Sequence, residues 1–172
     1  MEKMIAKGAE AELWLREWNN LKVIFKTRRP KRYRHPELDK QLRGIRTGRE
    51  ADILHRAKMA GVPTPLVYMI DLDNATIVME YIDGVKIRDV VGHLEKDERY
   101  EIFRRIGEYS GLLHKEGIIH GDLTTSNIIK LGHRIVFIDF GLSEISFEVE
   151  KRGVDLNLMN RMLTSTHYVY QK

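Results

Sequence analysis

The sequence contains no cysteine among its 172 residues, which excludes a disulfide framework and any metal site built from thiolates. It also lacks an apolar run near the roughly 18 residues that a membrane-spanning helix requires. The N-terminal residues "MEKMIAKGAEAEL" carry no apolar segment of the kind found in secretory signal peptides. These absences predict a cytoplasmic protein that does not insert into a membrane.

Acidic residues are scarce between residues 22 and 49, where eleven Lys and Arg accompany only Glu37 and Asp39. That segment carries a charge of +9, and because the whole chain carries +4, the remainder carries −5. A local basic segment is typical of proteins that contact a phosphate-rich or acidic partner. The alternative is a solvated helix face without a specific partner.

The apolar patterns change character near the middle of the chain. Alternating apolar residues predict short strands in the first half, at 12–17, 21–26, 65–70 and 75–81. A long helix is predicted between them, from Pro36 to Ala60. Later apolar residues recur at spacings of three and four, which predicts helices at 97–116 and 154–164, with Leu156, Met159 and Leu163 facing inward. We therefore predict an α+β protein with a small antiparallel sheet at 1–80, a hinge at 81–84 and a mostly helical part at 85–172.

The stretch "IIHGDLTTSNIIKLGHRIVFIDFG" places Asp122, Asn127 and Asp139 at the ends of short apolar strands. A hairpin through this stretch would bring Asn127 beside Asp139, and an amide oxygen with a carboxylate suits Mg²⁺, or Mn²⁺ as the alternative ion. Asp122 would then lie near the metal without binding it, where it can accept the proton of an attacking hydroxyl or water. This is the layout of phosphoryl transfer from ATP.

The order of these residues resembles the catalytic loop and magnesium loop of protein-kinase-like enzymes, His120-x-Asp122-x-x-x-x-Asn127 followed by Asp139-Phe140-Gly141. Such a fold would be a single domain of two lobes spanning residues 1–172. Lys26, at the end of a strand, is predicted to neutralise the ATP phosphates, in preference to Lys22. On the following helix, Glu50 is predicted to pair with Lys26, in preference to Glu37.

A full GxGxxG loop is absent, and the stretch "IAKGAEAEL" offers a single glycine for phosphate binding. The small residues Gly8 and Ala9 could still let backbone N–H groups approach a phosphate. The adenine is expected to hydrogen-bond to the backbone from Glu80 to Ile82. The apolar residues predicted to contact the adenine are Ile5, Leu13 and Met79.

The stretches "GAEAEL", "READILHRAKMAGVPTP", "IVMEYIDG" and "VDLNLM" lie outside the shared catalytic loop. Together with the His-Gly-Asp loop, they resemble the small atypical serine/threonine kinase/ATPase subunits of the KEOPS complex, which are related to RIO kinases. The resemblance implies a role in threonylcarbamoyladenosine synthesis on tRNA. It also implies two partners, the metal-dependent catalytic subunit of that complex and a small accessory subunit. tRNA would be reached through the complex and through segment 22–49.

Several alternatives remain at this point. The chain could be a nucleotide-binding scaffold without turnover, or a small-molecule kinase of the aminoglycoside-phosphotransferase type. His120 is expected to be a packed structural residue and not a catalytic base. For Asp155, a hydrogen bond to the backbone of the catalytic loop and a simple helix N-cap both fit the sequence.

Overall fold

The computed structural model describes residues 2–166, and these residues form two compact units. Unit 1 contains residues 2–55 and 65–81, and unit 2 contains residues 56–64 and 82–166. The chain leaves unit 1 at Tyr81, the first residue of the predicted hinge. The predicted second half extends to residue 172, so its last six residues lie outside the described part of the chain.

Unit 1 contains an antiparallel sheet with the strand order β1-β2-β3-β5-β4. Asn19 and Asn20 form the two-residue turn between β2 and β3, and their φ angles of 49° and 61° suit asparagine better than most residues. The strands are β1 (Glu2–Lys7), β2 (Ala11–Trp18), β3 (Leu21–Arg28), β4 (Val67–Asp71) and β5 (Thr76–Glu80).

Helix α1 (Pro36–Met59) begins and ends close to the predicted positions. Pro36 lies in its first turn, where a missing N–H costs no hydrogen bond. At the other end Gly61 adopts a φ of +89° and donates its N–H to the Lys58 carbonyl at 3.0 Å. In unit 1, Ala51 of this helix packs with Ile77 and Met79 of β5 to form the core beneath the sheet.

Unit 2 contains three helices, one three-stranded sheet with the order β6-β8-β9 and one two-stranded pair of β7 with β10 among the described residues. Of the apolar residues that predicted the second long helix, Ile102, Ile106 and Leu113 are fully buried. The elements of this unit are β6 (Val85–Lys86), α2 (Ile87–Val90), α3 (Lys96–Lys115), β7 (Ile118–Ile119), β8 (Ile128–Leu131), β9 (Arg134–Phe137), β10 (Glu144–Ile145) and α4 (Val149–Thr166).

The last helix differs from its prediction at its start and in its buried face. Helix α4 begins at Val149, five residues before the predicted start at 154. Leu156 was predicted to face inward, but 51% of it is exposed, so that prediction is wrong. Met159 is buried as predicted, and Asp155, four residues earlier on the helix, is buried on the same face. In the described part of the chain, no helix combines the length and the apolar character needed to cross a membrane.

Candidate active site

The loop of unit 2 that contains Asp122 is held by a buried carboxylate from helix α4. Asp155 accepts hydrogen bonds from the backbone N–H of His120 at 2.9 Å and of Gly121 at 3.0 Å. Its Oδ2 also lies 3.0 Å from Nε2 of His114 on α3. Burial alone would raise the pKa of Asp155, but these hydrogen bonds hold the pKa below its usual value. Asp155 therefore supports the loop backbone, and the N-cap alternative is wrong because α4 begins six residues earlier.

Gly121 occupies a backbone position that admits no side chain. Its φ is +77°, in the left-handed region, and an added Cβ would lie 2.4 Å from the carbonyl oxygen of Leu142. A side chain at position 121 would therefore require the backbone around Leu142 to shift. The loop that contains Asp122 thus packs directly against the backbone that follows Gly141.

Asp122 and Asn127 are joined across the catalytic loop. Nδ2 of Asn127 donates to Oδ2 of Asp122 at 2.7 Å and to the Asp122 carbonyl at 2.9 Å. The carbonyl of Asn127 accepts the Ile138 N–H at 2.9 Å, next to the β8–β9 hairpin. Asn127 therefore lies opposite Ile138, the residue before Asp139, in the hairpin that the spacing predicted.

Asp139 has the side-chain chemistry and exposure of a metal ligand. It is exposed, its φ is +61°, and its Oδ1 accepts the Gly141 N–H at 3.3 Å. Because the amide nitrogen of Asn127 is used by Asp122, its Oδ1 remains the atom that can bind a cation. Among residues 2–166, no cluster of three or more His, Asp or Glu side chains could form a metal site by itself. The Asn127–Asp139 pair fits a Mg²⁺ ion whose other ligands are phosphates and water.

His120 is buried completely and packs between aromatic rings. Its ring centroid lies 4.6 Å from that of Phe140 and 6.3 Å from that of Phe137. Nδ1 accepts the Asp122 N–H at 3.3 Å, and Ser143 donates its hydroxyl to the His120 carbonyl at 2.7 Å. Burial lowers the pKa of His120, so the ring is neutral near pH 7. This environment is that of the expected structural histidine.

In unit 1, Lys26 and Glu50 form the predicted ion pair. Nζ of Lys26 lies 2.6 Å from Oε1 of Glu50, and both side chains are buried. The structure adds a third member that the sequence analysis missed, since Nη2 of Arg28 lies 2.7 Å from Oε2 of Glu50. The spacing in the sequence could have indicated this contact. Residues 26 and 28 of one strand face the same side of a sheet, so an acid that reaches Lys26 can also reach Arg28.

Leu13 and Met79 lie on the same face of the sheet as Lys26. Leu13 is opposite Lys26 in the β2–β3 pair, and Met79 is opposite Ile24 in the β3–β5 pair. Leu13 is half-buried and Met79 is buried. Both are therefore placed where an apolar contact close to Lys26 can form.

The other predicted adenine contacts occupy different positions. Ile5 lies at an irregularity between Met4 and Ala6 in the β1–β2 pair, and 46% of it is exposed. The Glu80 carboxylate accepts the Leu66 N–H at 3.1 Å. Ile82 is a buried residue of unit 2. The adenine contacts of these three residues therefore stay predictions.

The loop between β1 and β2 is anchored by basic residues of unit 1. Gly8 donates its N–H to the Ala11 carbonyl at 2.9 Å, which closes a tight turn. Nζ of Lys31 donates to the Ala9 carbonyl at 2.7 Å and lies 2.9 Å from the Glu10 carboxylate. Ion pairing therefore helps to hold a loop in which Gly8 is the lone glycine.

Many charges of segment 22–49 are paired inside unit 1. Arg28, for example, is only 5% exposed, so it does not belong to a solvated basic surface. At least eight of the eleven Lys and Arg have a carboxylate within 4 Å, namely Lys26, Arg28, Arg29, Lys31, Arg34, Lys40, Arg43 and Arg46. The number of unpaired positive charges in segment 22–49 is therefore smaller than its net charge of +9 suggests.

Comparisons with known proteins agree with this geometry. The RIO domain family matches residues 15–146. The KEOPS complex subunit Bud32 of Pyrococcus abyssi is 48% identical over 172 residues, which cover 96% of this chain and 78% of that protein. The chain belongs to the Bud32 family of RIO-domain proteins. A probable serine/threonine-protein kinase BUD32 homolog of Archaeoglobus fulgidus is 46% identical over 88% of this chain and 71% of that protein.

Bud32-family sequences also occur within longer proteins. A probable bifunctional tRNA threonylcarbamoyladenosine biosynthesis protein of Methanothermobacter thermautotrophicus is 48% identical over 96% of this chain, which spans only 30% of that protein. The Rio2 kinase structure from Chaetomium thermophilum matches 94% of this chain and 55% of its own, with a TM-score of 0.74 at 18% identity. The predicted family, the α+β kinase-like fold and the atypical kinase class of enzyme are confirmed.

Proposed function

We propose that this chain transfers the γ-phosphoryl group of ATP, to water or to a Ser/Thr hydroxyl, within a KEOPS-type complex that modifies tRNA. The observation that supports the proposal is the placement of Asp122, Asn127 and Asp139 in unit 2, in which Asn127 donates to the Asp122 carboxylate and the exposed Asp139 follows the residue opposite Asn127. Those are the groups that phosphoryl transfer needs, a proton acceptor and two oxygen ligands for Mg²⁺ or Mn²⁺.

Asp122 is the proposed catalytic residue. The hydrogen bond from Asn127 to Oδ2 fixes the orientation of the carboxylate and leaves Oδ1 to accept the proton of the attacking hydroxyl. A Mg²⁺ ion bound by Asn127 and Asp139 would neutralise charge on the phosphates. Because phosphoryl transfer depends mainly on positioning and charge neutralisation, these side chains account for most of the chemistry.

Most of the residues that we propose to bind the nucleotide lie in unit 1. Lys26, oriented by Glu50, would neutralise the ATP phosphates, and the backbone of Gly8 and Ala9 would approach them. Leu13 and Met79 support an apolar adenine contact, because their side chains share the face of the sheet with Lys26. The other residues that we propose to contact adenine are Ile5, Glu80 and Ile82.

The proposed partners follow from the names of the relatives. One is a KEOPS complex subunit, and others are proteins of threonylcarbamoyladenosine biosynthesis. We propose that this chain binds the metal-dependent catalytic subunit and a small accessory subunit of such a complex in the cytoplasm. tRNA contact through segment 22–49 would use its unpaired cations.

Substitution of Asp122 tests whether the chain is a catalyst. In this proposal Asp122 holds neither ATP nor the metal, so Asp122→Ala should keep ATP affinity within about threefold while turnover falls roughly 10²–10⁴-fold. Four quantities should be measured on one preparation. They are ATP affinity by calorimetry, phosphate release, autophosphorylation and the yield of modified nucleoside. Asp89→Ala is a matched control, because Asp89 is an exposed carboxylate of the same unit.

Three outcomes would contradict the proposal in different ways. Normal tRNA modification with no ATP hydrolysis would show that the chain is a nucleotide-loaded scaffold. Loss of ATP binding in Asp122→Ala would show that Asp122 belongs to the metal site and is not the proton acceptor. Efficient phosphorylation of an aminoglycoside by the wild-type chain would instead identify a small-molecule kinase.

A further inference from the structure

We propose that Arg28 is a positioning residue that holds Glu50 in the orientation that engages Lys26. This inference rests on the proposed function, because it concerns the pair that would orient the ATP phosphates. Arg28 itself is not a catalytic residue in this scheme. It acts through the carboxylate of Glu50.

The two oxygens of the Glu50 carboxylate contact two different cations. Lys26 and Arg28 are two residues apart on β3, so their side chains leave the same face of the sheet. Helix α1 presents Glu50 to that face, with Lys26 Nζ 2.6 Å from Oε1 and Arg28 Nη2 2.7 Å from Oε2. Each carboxylate oxygen therefore has its own charged donor.

Because Glu50 is buried, its orientation depends on both of these contacts. The exposed fractions of Lys26, Arg28 and Glu50 are 7%, 5% and 2%. If Arg28 were removed, Oε2 would lose its donor inside the unit, and a buried acceptor without a partner is unfavourable. Glu50 would then reorient towards other donors or water, and the contact between Oε1 and Lys26 would no longer be fixed.

The side chain of Arg28 has no other hydrogen-bond acceptor among residues 2–166. Its Nε is buried without an acceptor, and its Nη2 bond to Glu50 is the side-chain contact that the structure shows. The backbone of Arg28 is held separately, because its N–H donates to the Ala75 carbonyl and its own carbonyl accepts from Arg43. Substitution of the side chain can therefore change Glu50 while leaving β3 in place.

Arg28→Met tests this role, with Arg28→Lys as the conservative variant and Arg29→Met as the matched control. Arg29 is the next residue, but it is 44% exposed and lies 3.5 Å from Glu12, not from Glu50. We expect Arg28→Met to lower kcat for ATP hydrolysis about 10- to 100-fold, because a small misplacement of an orienting group is costly. The KM for ATP should change less, Arg28→Lys should recover part of kcat, and Arg29→Met should resemble the wild type.

A double-mutant cycle with Glu50→Gln distinguishes positioning from general support of the fold. If Arg28 acts through Glu50, Arg28→Met should cause little further loss of kcat in the Glu50→Gln background. Equal losses of kcat in both backgrounds, or an unchanged kcat in Arg28→Met at a temperature where the variant is folded, would overturn the inference.

A structural measurement separates this inference from the proposed function. A crystal structure of Arg28→Met should show Glu50 displaced from Lys26, beyond hydrogen-bond distance. If the wild-type chain hydrolyses no ATP, the proposed function fails, yet the position of Glu50 in this variant still decides the inference. An unchanged Lys26–Glu50 contact in Arg28→Met would overturn it.

Discussion

Unit 1 holds its candidate functional side chains by pairing opposite charges, whereas unit 2 holds its own mainly through hydrogen bonds that involve the backbone. In unit 1, Glu50 lies between Lys26 and Arg28. In unit 2, the buried carboxylate of Asp155 accepts the backbone N–H groups of His120 and Gly121. Changes of charge should therefore be most harmful in unit 1, and changes that remove a backbone partner should be most harmful in unit 2.

Asp139 should be an exception to this difference between the units. It is an exposed carboxylate of unit 2, and its proposed role in metal binding depends on its negative charge. Asp139→Asn should lower magnesium-dependent ATP turnover by about a hundredfold or more, since it removes the anionic metal ligand. Asparagine tolerates the φ of +61°, so the free energy of unfolding should change little. Phosphate release measured against Mg²⁺ concentration, with Asp89→Asn as the control, tests this. Undiminished turnover would exclude Asp139 as a ligand.

Asp155 provides the strongest test of backbone support in unit 2. Asp155→Ala should lower the free energy of unfolding by about 3 kcal/mol or more, because it leaves two backbone N–H groups without their acceptor. Asp155→Asn should cost less, since its amide oxygen can still accept one of these hydrogen bonds. Chemical denaturation of both variants measures the difference. Equal stability of Asp155→Ala and the wild type would show that the loop does not depend on this carboxylate.

The pH dependence of stability gives a further test of unit 2, because its loop contains the buried His120. Burial lowers the pKa of His120 from its ordinary value of 6.5, although the carboxylates of Asp155, Asp139 and Asp122 act in the opposite direction. The unfolded chain therefore binds a proton more readily than the folded chain. Stability should be fully present above pH 6.5 and should fall below it, by at most about 1.4 kcal/mol per pH unit.

Denaturation at pH 7.5, 6.5 and 5.5 measures this effect. His120→Asn should be less stable than the wild type at pH 7.5 but should lose less stability on acidification. His93→Gln is the matched control, because His93 is an exposed histidine of the same unit. An identical pH profile for wild type and His120→Asn would assign the acid sensitivity to other groups.

The smallest expected effect concerns the basic residues of unit 1. Among residues 2–166, Arg32 and Arg49 make no ion pair and both are exposed, so their charges are available to tRNA. Arg32→Gln and Arg49→Gln should each weaken tRNA binding a few-fold and lower the salt slope by about one if a phosphate contact is lost. ATP hydrolysis should not change. Arg29→Gln, which removes a paired charge, is the control, and an equal effect from it would argue against a role for unpaired charge.

The sequence was sufficient to predict the β8–β9 hairpin of unit 2, because hairpin geometry is local. The two short strands between Asn127 and Asp139 predicted it, and the hydrogen bond from the N–H of Ile138, the residue before Asp139, to the Asn127 carbonyl agrees with it. The Lys26–Glu50 pair was also predicted, from strand and helix positions. The roles of these residues in ATP binding and catalysis stay predictions.

Other features depended on packing that a one-dimensional pattern does not contain. Arg28 was counted within a basic surface, because a run of charges does not show which members face a buried carboxylate. The start of α4 was misplaced because residues 149–153, "VEKRG", contain three charges and a glycine, which hide the helical period. The inward position predicted for Leu156 belongs to Asp155, whose burial depends on the backbone of a distant loop.

The contact between Gly121 and the Leu142 carbonyl limits how this protein can evolve. Any side chain at position 121 would place a Cβ 2.4 Å from a carbonyl oxygen, on a backbone whose φ of +77° already disfavours residues other than glycine. A single substitution there would disturb the loop, so another residue at position 121 requires a compensating change in the segment around Leu142.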